Sequence, residues 1–521
     1  MILPDPHGRS VTTGGGGRAT LDELFRRNVT RHPDALALID PPNRGSFTDG
    51  APHRLTYRQA DNAISALAAR LRRMGLNTDA IVALQFANTV ESVLTLLAVL
   101  RAGLIAMPLP LLWRRADAVA ALSRVGASAL IVSGRVGAVD HFDLAMHIAA
   151  ETFPIRFVCG FGANPPDGVL ALDDVFESKV SDLPRASDPQ AGVAANPGAH
   201  LAAITWDVSP DGLVPVARNH SELIAGGLAV MLEAGLPQDA VVLSTLANSS
   251  FAGLATAVLP WLLTGGTLGL HHAFDADAFT AQRRAMHCDR VILPGPVVDQ
   301  FAAAELFAER HGLKRILGIW RAPDRMPSAG CWADPDISLV DVQVFGEIGL
   351  IAARRDSAGH PAPFMFGPLT APRGAKGAIV VGEAQRSDQG TVALRGPMLP
   401  RAAFPPGAER TSLPHIKISA TGLIDTSYAC RSGPDKPALQ ITAPPPGIVS
   451  VGGYRFSVSK LQTVVNEVDS ASTMEALPDA LAGHRLGGST ADTKRMQDTL
   501  VRLGVNPLLV GAFHKPRGPA A

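Results

Sequence analysis

Residues 201–223 read LAAITWDVSPDGLVPVARNHSEL, and the chemistry such a stretch offers is anion binding. A buried strand over residues 202–206, a turn closed by Gly212 and a helix capped by Asn219 or Ser221 form a frame in which backbone N–H groups converge on phosphate oxygens. The turn itself, Asp207-Val208-Ser209-Pro210-Asp211, works against that use. Proline removes one donor, and two carboxylates repel a polyphosphate at close range. Elsewhere the four cysteines, Cys159, Cys288, Cys331 and Cys430, follow no metal-ligand spacing. They predict no zinc site and the reduced thiols of a cytoplasmic protein.

The elements that must hold this frame follow from length and pattern. A chain of 521 residues has room for two or three domains and a large core. Its 47 basic and 47 acidic residues give no excess charge for nucleic acid or an anionic membrane. Residues 1–18 lack the apolar centre of a signal peptide and predict a disordered leader. The run 251–270 carries no charge and is long enough to cross a bilayer. Pro260, Gly265 and Gly266 divide it, which predicts a buried helix followed by a strand and no membrane span.

From residue 57 onward helix and strand patterns alternate. Helices are expected at 57–74, 89–100 and 116–124, with strands at 81–86, 104–107 and 129–132. Asn88 and Glu91 have capping-box spacing at the second helix. Apolar strands are also expected at 241–246, 291–293, 315–319 and 339–345. This alternation predicts an α/β fold: a large N-terminal region of parallel sheets flanked by helices, over residues 19–375. Short β-rich runs at 378–382 and 391–395 predict a β subdomain over 376–440. Pro444-Pro445-Pro446-Gly447 marks a stiff connector into a short α+β C-terminal domain over 441–521. That domain is read as a hairpin at 449–456, a helix near 460–467 and a loop-rich tail with one helix around 493–503.

Four motifs occur in order. Arg54-Leu55-Thr56-Tyr57, the run from Leu100-Arg101-Ala102-Gly103 to Pro108-Leu109, Gly390-Thr391-Val392-Ala393-Leu394-Arg395-Gly396-Pro397, and Val451-Gly452-Gly453-Tyr454-Arg455-Phe456 are similar to the LTY, LKAG…PL, GEL…RGP and GGYRI motifs of one superfamily. The chain thus resembles the AMP-forming, acyl-adenylate-forming ligases: acyl-CoA synthetases, aryl-acid ligases and peptide-synthetase adenylation domains. Arg218-Asn219-His220 is also similar to the RTH tripeptide of the aryl-acid branch. The resemblance implies a reaction in which a small carboxylic acid and ATP, with Mg²⁺, give an acyl-adenylate. The acyl group then passes to CoA or to a phosphopantetheine carrier.

Carried over by motif, Glu347 in Glu347-Ile348-Gly349 falls on the catalytic, Mg²⁺-binding carboxylate. A competing alignment puts Phe345-Gly346 on the family's YG pair and leaves no glutamate in register. The nucleotide-binding positions fall on Gly212, Ala322, Pro323, Phe345, Gly346 and Thr421, and the substrate-binding ones on His220 and Phe251. Several expected groups are replaced. The adenine shelf becomes Trp320-Arg321-Ala322-Pro323, and both bulky side chains obstruct close approach of a base. The ribose carboxylate becomes Leu423, with Asp425 as a displaced stand-in. No lysine follows the phosphate turn, and Lys515 reads as a solvated tail residue. Two functions are therefore expected as alternatives: a ligase with degraded ATP motifs, or an inactive pseudoenzyme that binds an acyl group, CoA or a protein.

Overall fold

Apolar runs of four to eight residues bracketed by helices become buried strands, because only a sheet covered on both faces satisfies their backbone and their side chains together. The computed structural model describes residues 18–177, 196–303, 312–326, 331, 332, 334, 336–373, 377–432 and 438–514. Residues 1–17 of the expected leader and Lys515 lie outside them. One sheet has the strand order Gly349–Arg354, Ser338–Phe345, Arg315–Trp320, Arg290–Pro294, Val241–Ser244, Thr267–Leu270, Leu36–Ile39 and Arg54–Thr56. It is parallel apart from its two edge strands. A second runs Gly212–Asn219, Leu201–Ser209, Ile105–Pro108, Ile81–Gln85, Ala129–Ser133, Phe157–Phe161 and Val169–Ala171, parallel apart from its first strand.

The helix Val90–Arg101, buried on nearly every side, joins the two sheets in one continuous core. A six-stranded antiparallel sheet follows, built from strands between Phe364–Met365 and Ala438–Ala443. Beyond the prolines, Ile448–Val451, Tyr454–Ser457, Thr473–Asp479 and Gly483–Ser489 make a four-stranded antiparallel sheet. Helices Val458–Val468 and Thr493–Leu503 close it over a core of its own, around Val465, Met496 and Leu500. The tail expected to be loop-rich therefore contains two strands. Their Gly, Pro and polar residues conceal the alternation that marks a strand.

Two local expectations change, and the expected buried helix followed by a strand over 251–270 is present. The turn expected over residues 207–211 shrinks to Pro210-Asp211, because Asp207 to Ser209 continue the strand and pair with Val214, Leu213 and Gly212. Most backbone donors of that segment are thereby drawn into a β ladder. The helix starting at Phe251 runs through Pro260 to Thr264: a π turn over Leu254–Val258 precedes the proline, and Gly265 in the left-handed region ends it. Prolines are tolerated where the ladder is already opened. Finally, Asn88 and Glu91 form no capping box. Val90 N–H is capped by Asp40 Oδ1 at 2.8 Å, Asn88 Nδ2 donates to the Ser244 carbonyl, and Glu91 pairs with Arg44.

Candidate functional site

Glu347 follows the strand Ser338–Phe345 and faces the start of the helix at Phe251. Its Oε2 accepts from Phe251 N–H at 2.7 Å, and its own N–H donates to Asp207 Oδ2 at 2.9 Å. Asp207 also accepts from Val208 N–H at 2.7 Å and pairs with Arg455. Arg455 comes from the GGYRF hairpin of the C-terminal domain, so this pair spans two domains. Gly346 sits at the crossing with φ +57°, and a Cβ there would run into both Arg455 and Asp207. Only glycine fits that backbone beside that pair.

Two further guanidiniums complete the group. Arg218, 1% exposed, donates to the carbonyls of Glu347, Ile348 (2.7 Å) and Met398 (3.2 Å), and lies 3.9 Å over the Phe251 ring. Arg321 donates to Ser250 Oγ at 2.8 Å and to the Gly453 carbonyl at 3.2 Å. Gly453, with φ +90°, lets the hairpin come this close, since a Cβ there would meet Arg321 Cδ at 2.8 Å. Three guanidiniums thus face two carboxylates inside the protein.

Electrostatics follows from burial. Removal from water, with Asp207 nearby, pushes Glu347 up to about 7. Burial lowers Arg218 to about 10. Burial also opposes the charge on Arg455, but Asp207 and Tyr428 outweigh it and hold its pKa above the ordinary value.

The remaining expected residues scatter. Phe345 is fully buried with its ring edge-on to Tyr428, 5.5 Å away. Gly212 closes the tight hairpin, and Ala322 and Pro323 start a short 3₁₀ turn. His220 accepts from Leu21 N–H at 3.2 Å through Nδ1, which anchors the first helix, and burial lowers it to about 4. Thr421 is exposed and bonds Ser419. Asp425 accepts from Thr391 Oγ1 at 2.8 Å and from Ser427 N–H at 2.7 Å, so it is committed away from any ribose. The roles of Asp207 and Arg455 as partners were hidden, because 248 residues separate them. The arginine in GGYRF and an acid in a phosphate turn were the available signals.

These residues do not fit MgATP. The carboxylate of Asp207 takes up the N–H groups of Val208 and Glu347, and the segment expected as the base shelf carries Arg321 and the Trp320 indole, which donates to Asp341. A triphosphate would displace a buried ion pair to enter.

Residues 25–197 match the family model described as AMP-binding enzyme. Over 90 residues the chain is 32% identical to the beauvericin nonribosomal cyclodepsipeptide synthetase of Gibberella fujikuroi, covering 17% of this chain and 3% of that protein. Over 284 residues it is 22% identical to the medium-chain fatty-acid–CoA ligase of Escherichia coli, covering 54% of this chain and 47% of the ligase. The matches thus span less than half the length of these curated relatives. Among solved structures, the amide bond synthetase McbA of Marinactinospora thermotolerans has the same fold, with a TM-score of 0.70 over 94% of both chains at 17% identity. Residues 25–197 are thus similar to AMP-binding enzymes, and the chain as a whole shares the fold of a solved amide bond synthetase.

Proposed function

We propose that this chain is a non-catalytic descendant of the adenylate-forming ligases, whose nucleotide site is filled by its own ion pairs and whose C-terminal domain is latched over it. The observation that carries this reading is the Arg455–Asp207 pair, 13% and 7% exposed, set between Gly346 and the N–H of Glu347. A ligase needs that space for phosphate charge. Loss of a single preorganised donor costs roughly 10²–10³ in rate, and several are replaced here. Cations do remain; Asp207, backbone carbonyls and Ser250 Oγ hold most of their donors, while Arg218 Nη1, Arg321 Nε and Arg455 Nε have no partner among the described residues.

A ligase reading keeps one observation in its favour. Glu347 and Phe251 are brought together at 2.7 Å, as an acid-binding site beside a metal-binding carboxylate requires. On that reading a small carboxylic acid, MgATP and then CoA or a phosphopantetheine carrier would bind after the latch opens. Calorimetric titration with MgATP separates the two. We expect no saturable heat at millimolar nucleotide and no thermal stabilisation, where a ligand at 100 times its Kd would add about 2.7 kcal/mol. Saturable micromolar binding, or pyrophosphate exchange with any acid, sinks the non-catalytic reading.

A further inference from the structure

A pocket of about 170 Å³, open to solvent beside Met365, Pro368 and Thr370, lies where the helix His220–Glu233, the edge strand Gly349–Arg354 and the six-stranded antiparallel sheet meet. That is the scale of an apolar cavity of about 150 Å³ that takes up benzene. Ala229, Leu350, Leu369 and Val381 line it, with the adaptable side chain of Met365 beside them. Among the described residues, none that lines it is charged. Gln343 also lines the wall at 4% exposure, which places its carboxamide within reach of a molecule in the pocket.

We propose that this cavity is a binding site for a small neutral molecule: a ring or branched chain of about six to ten heavy atoms with one hydrogen-bonding group that meets Gln343. The lining selects the class. Its aliphatic side chains reward apolar surface, the lone carboxamide recognises one polar head as donor or acceptor, and the lack of countercharge rejects ions. Junctions between domains are common places for such sites. The proposal stands apart from the nucleotide-site reading, because no residue of the Arg455–Asp207–Glu347 group lines the cavity.

The test uses the full chain and three probes of similar shape: benzamide, toluene and benzylammonium, followed by ligand-observed NMR titration. We expect saturable benzamide binding with a Kd on the order of a millimolar. Toluene should bind severalfold more weakly, and benzylammonium not at all. Ala229→Phe, which fills the cavity, should abolish binding of both neutral probes. Gln343→Leu should remove the preference for benzamide over toluene. If Ala229→Phe does not fold, Gln343→Leu decides alone. Absence of saturable benzamide binding, or equal benzamide affinity in Gln343→Leu, overturns the proposal.

Discussion

Glu347 holds a proton that the unfolded chain gives up. Its ordinary value is 4.5 and burial raises it to about 7, so between those pH values the folded state binds more protons and stability falls as pH rises. Below the window both states are protonated and the effect vanishes. Above it the full cost, on the order of 3 kcal/mol, is present. Glu347→Gln removes the titration while its amide oxygen can still accept from Phe251 N–H. We therefore expect a flatter melting profile between pH 4.5 and 8 and a variant more stable than wild type at the alkaline end. Parallel profiles would show that Glu347 is not the group that titrates. The second prediction concerns its neighbour: Arg455→Ala should cost about 3–5 kcal/mol in chemical denaturation, because it strands a buried carboxylate. Replacing both partners, Arg455→Leu with Asp207→Leu, should cost much less than the sum of the single changes. Additive losses would mean that the pair is only a surface contact. Little of this group was legible in the sequence. Motif order placed Glu347 and Phe251, which do meet, but also His220 and Thr421, whose partners lie elsewhere. Side-chain pairing between distant segments is set by tertiary packing, and no local pattern encodes it.

At the scale of elements the sequence was far more readable, because burial in a parallel sheet leaves a continuous apolar run and a helix leaves a 3.6-residue period. The strand at Arg315–Trp320 and the helix at Tyr57–Arg73 end within one residue of their expected bounds. What failed were elements whose stability comes from outside themselves. The strand at Thr473–Asp479 carries Pro478 and the one at Gly483–Ser489 carries three glycines, so neither signals a sheet until the partner and the hydrophobic core beneath are in place. The hairpin at 448–457 is the element with the most specific demand. Its two-residue turn, Gly452-Gly453, has both φ angles positive, the geometry of the turn that matches strand twist. Gly453→Ala adds strain at φ +90° and a clash with Arg321. We expect it to destabilise the protein by about 1–3 kcal/mol. Hydrogen exchange should quicken in residues 448–457 first. Exchange that quickens equally throughout the chain would show that this hairpin is not a separate docking unit.

Across the whole molecule, the C-terminal domain is held at several independent points. Besides the Arg455–Asp207 pair, Ser457 Oγ donates to the Pro210 carbonyl at 2.9 Å, Ala116 N–H to the Gly504 carbonyl at 2.9 Å, and Arg115 Nη2 to the Arg502 carbonyl at 2.8 Å. The link that would have to turn is residues 443–447, where Pro444, Pro445 and Pro446 fix φ and Gly447, at φ +71°, is the permissive residue. A stiff tether favours whichever orientation its contacts select, since little chain entropy is gained by releasing it. Rotation would also require parting a buried charge pair before any ligand could contribute binding energy. A ligand moves such an equilibrium only by as much as it prefers one state, and on the proposed reading MgATP has no complementary site in this one. We therefore expect small-angle scattering profiles of the wild-type protein to superimpose with and without millimolar MgATP or CoA. Arg455→Ala, with its central pin removed, should scatter as a broader and larger ensemble even without ligand. A nucleotide-dependent change in the wild-type profile would reject the latched arrangement and return the chain to the mobile, two-step ligases.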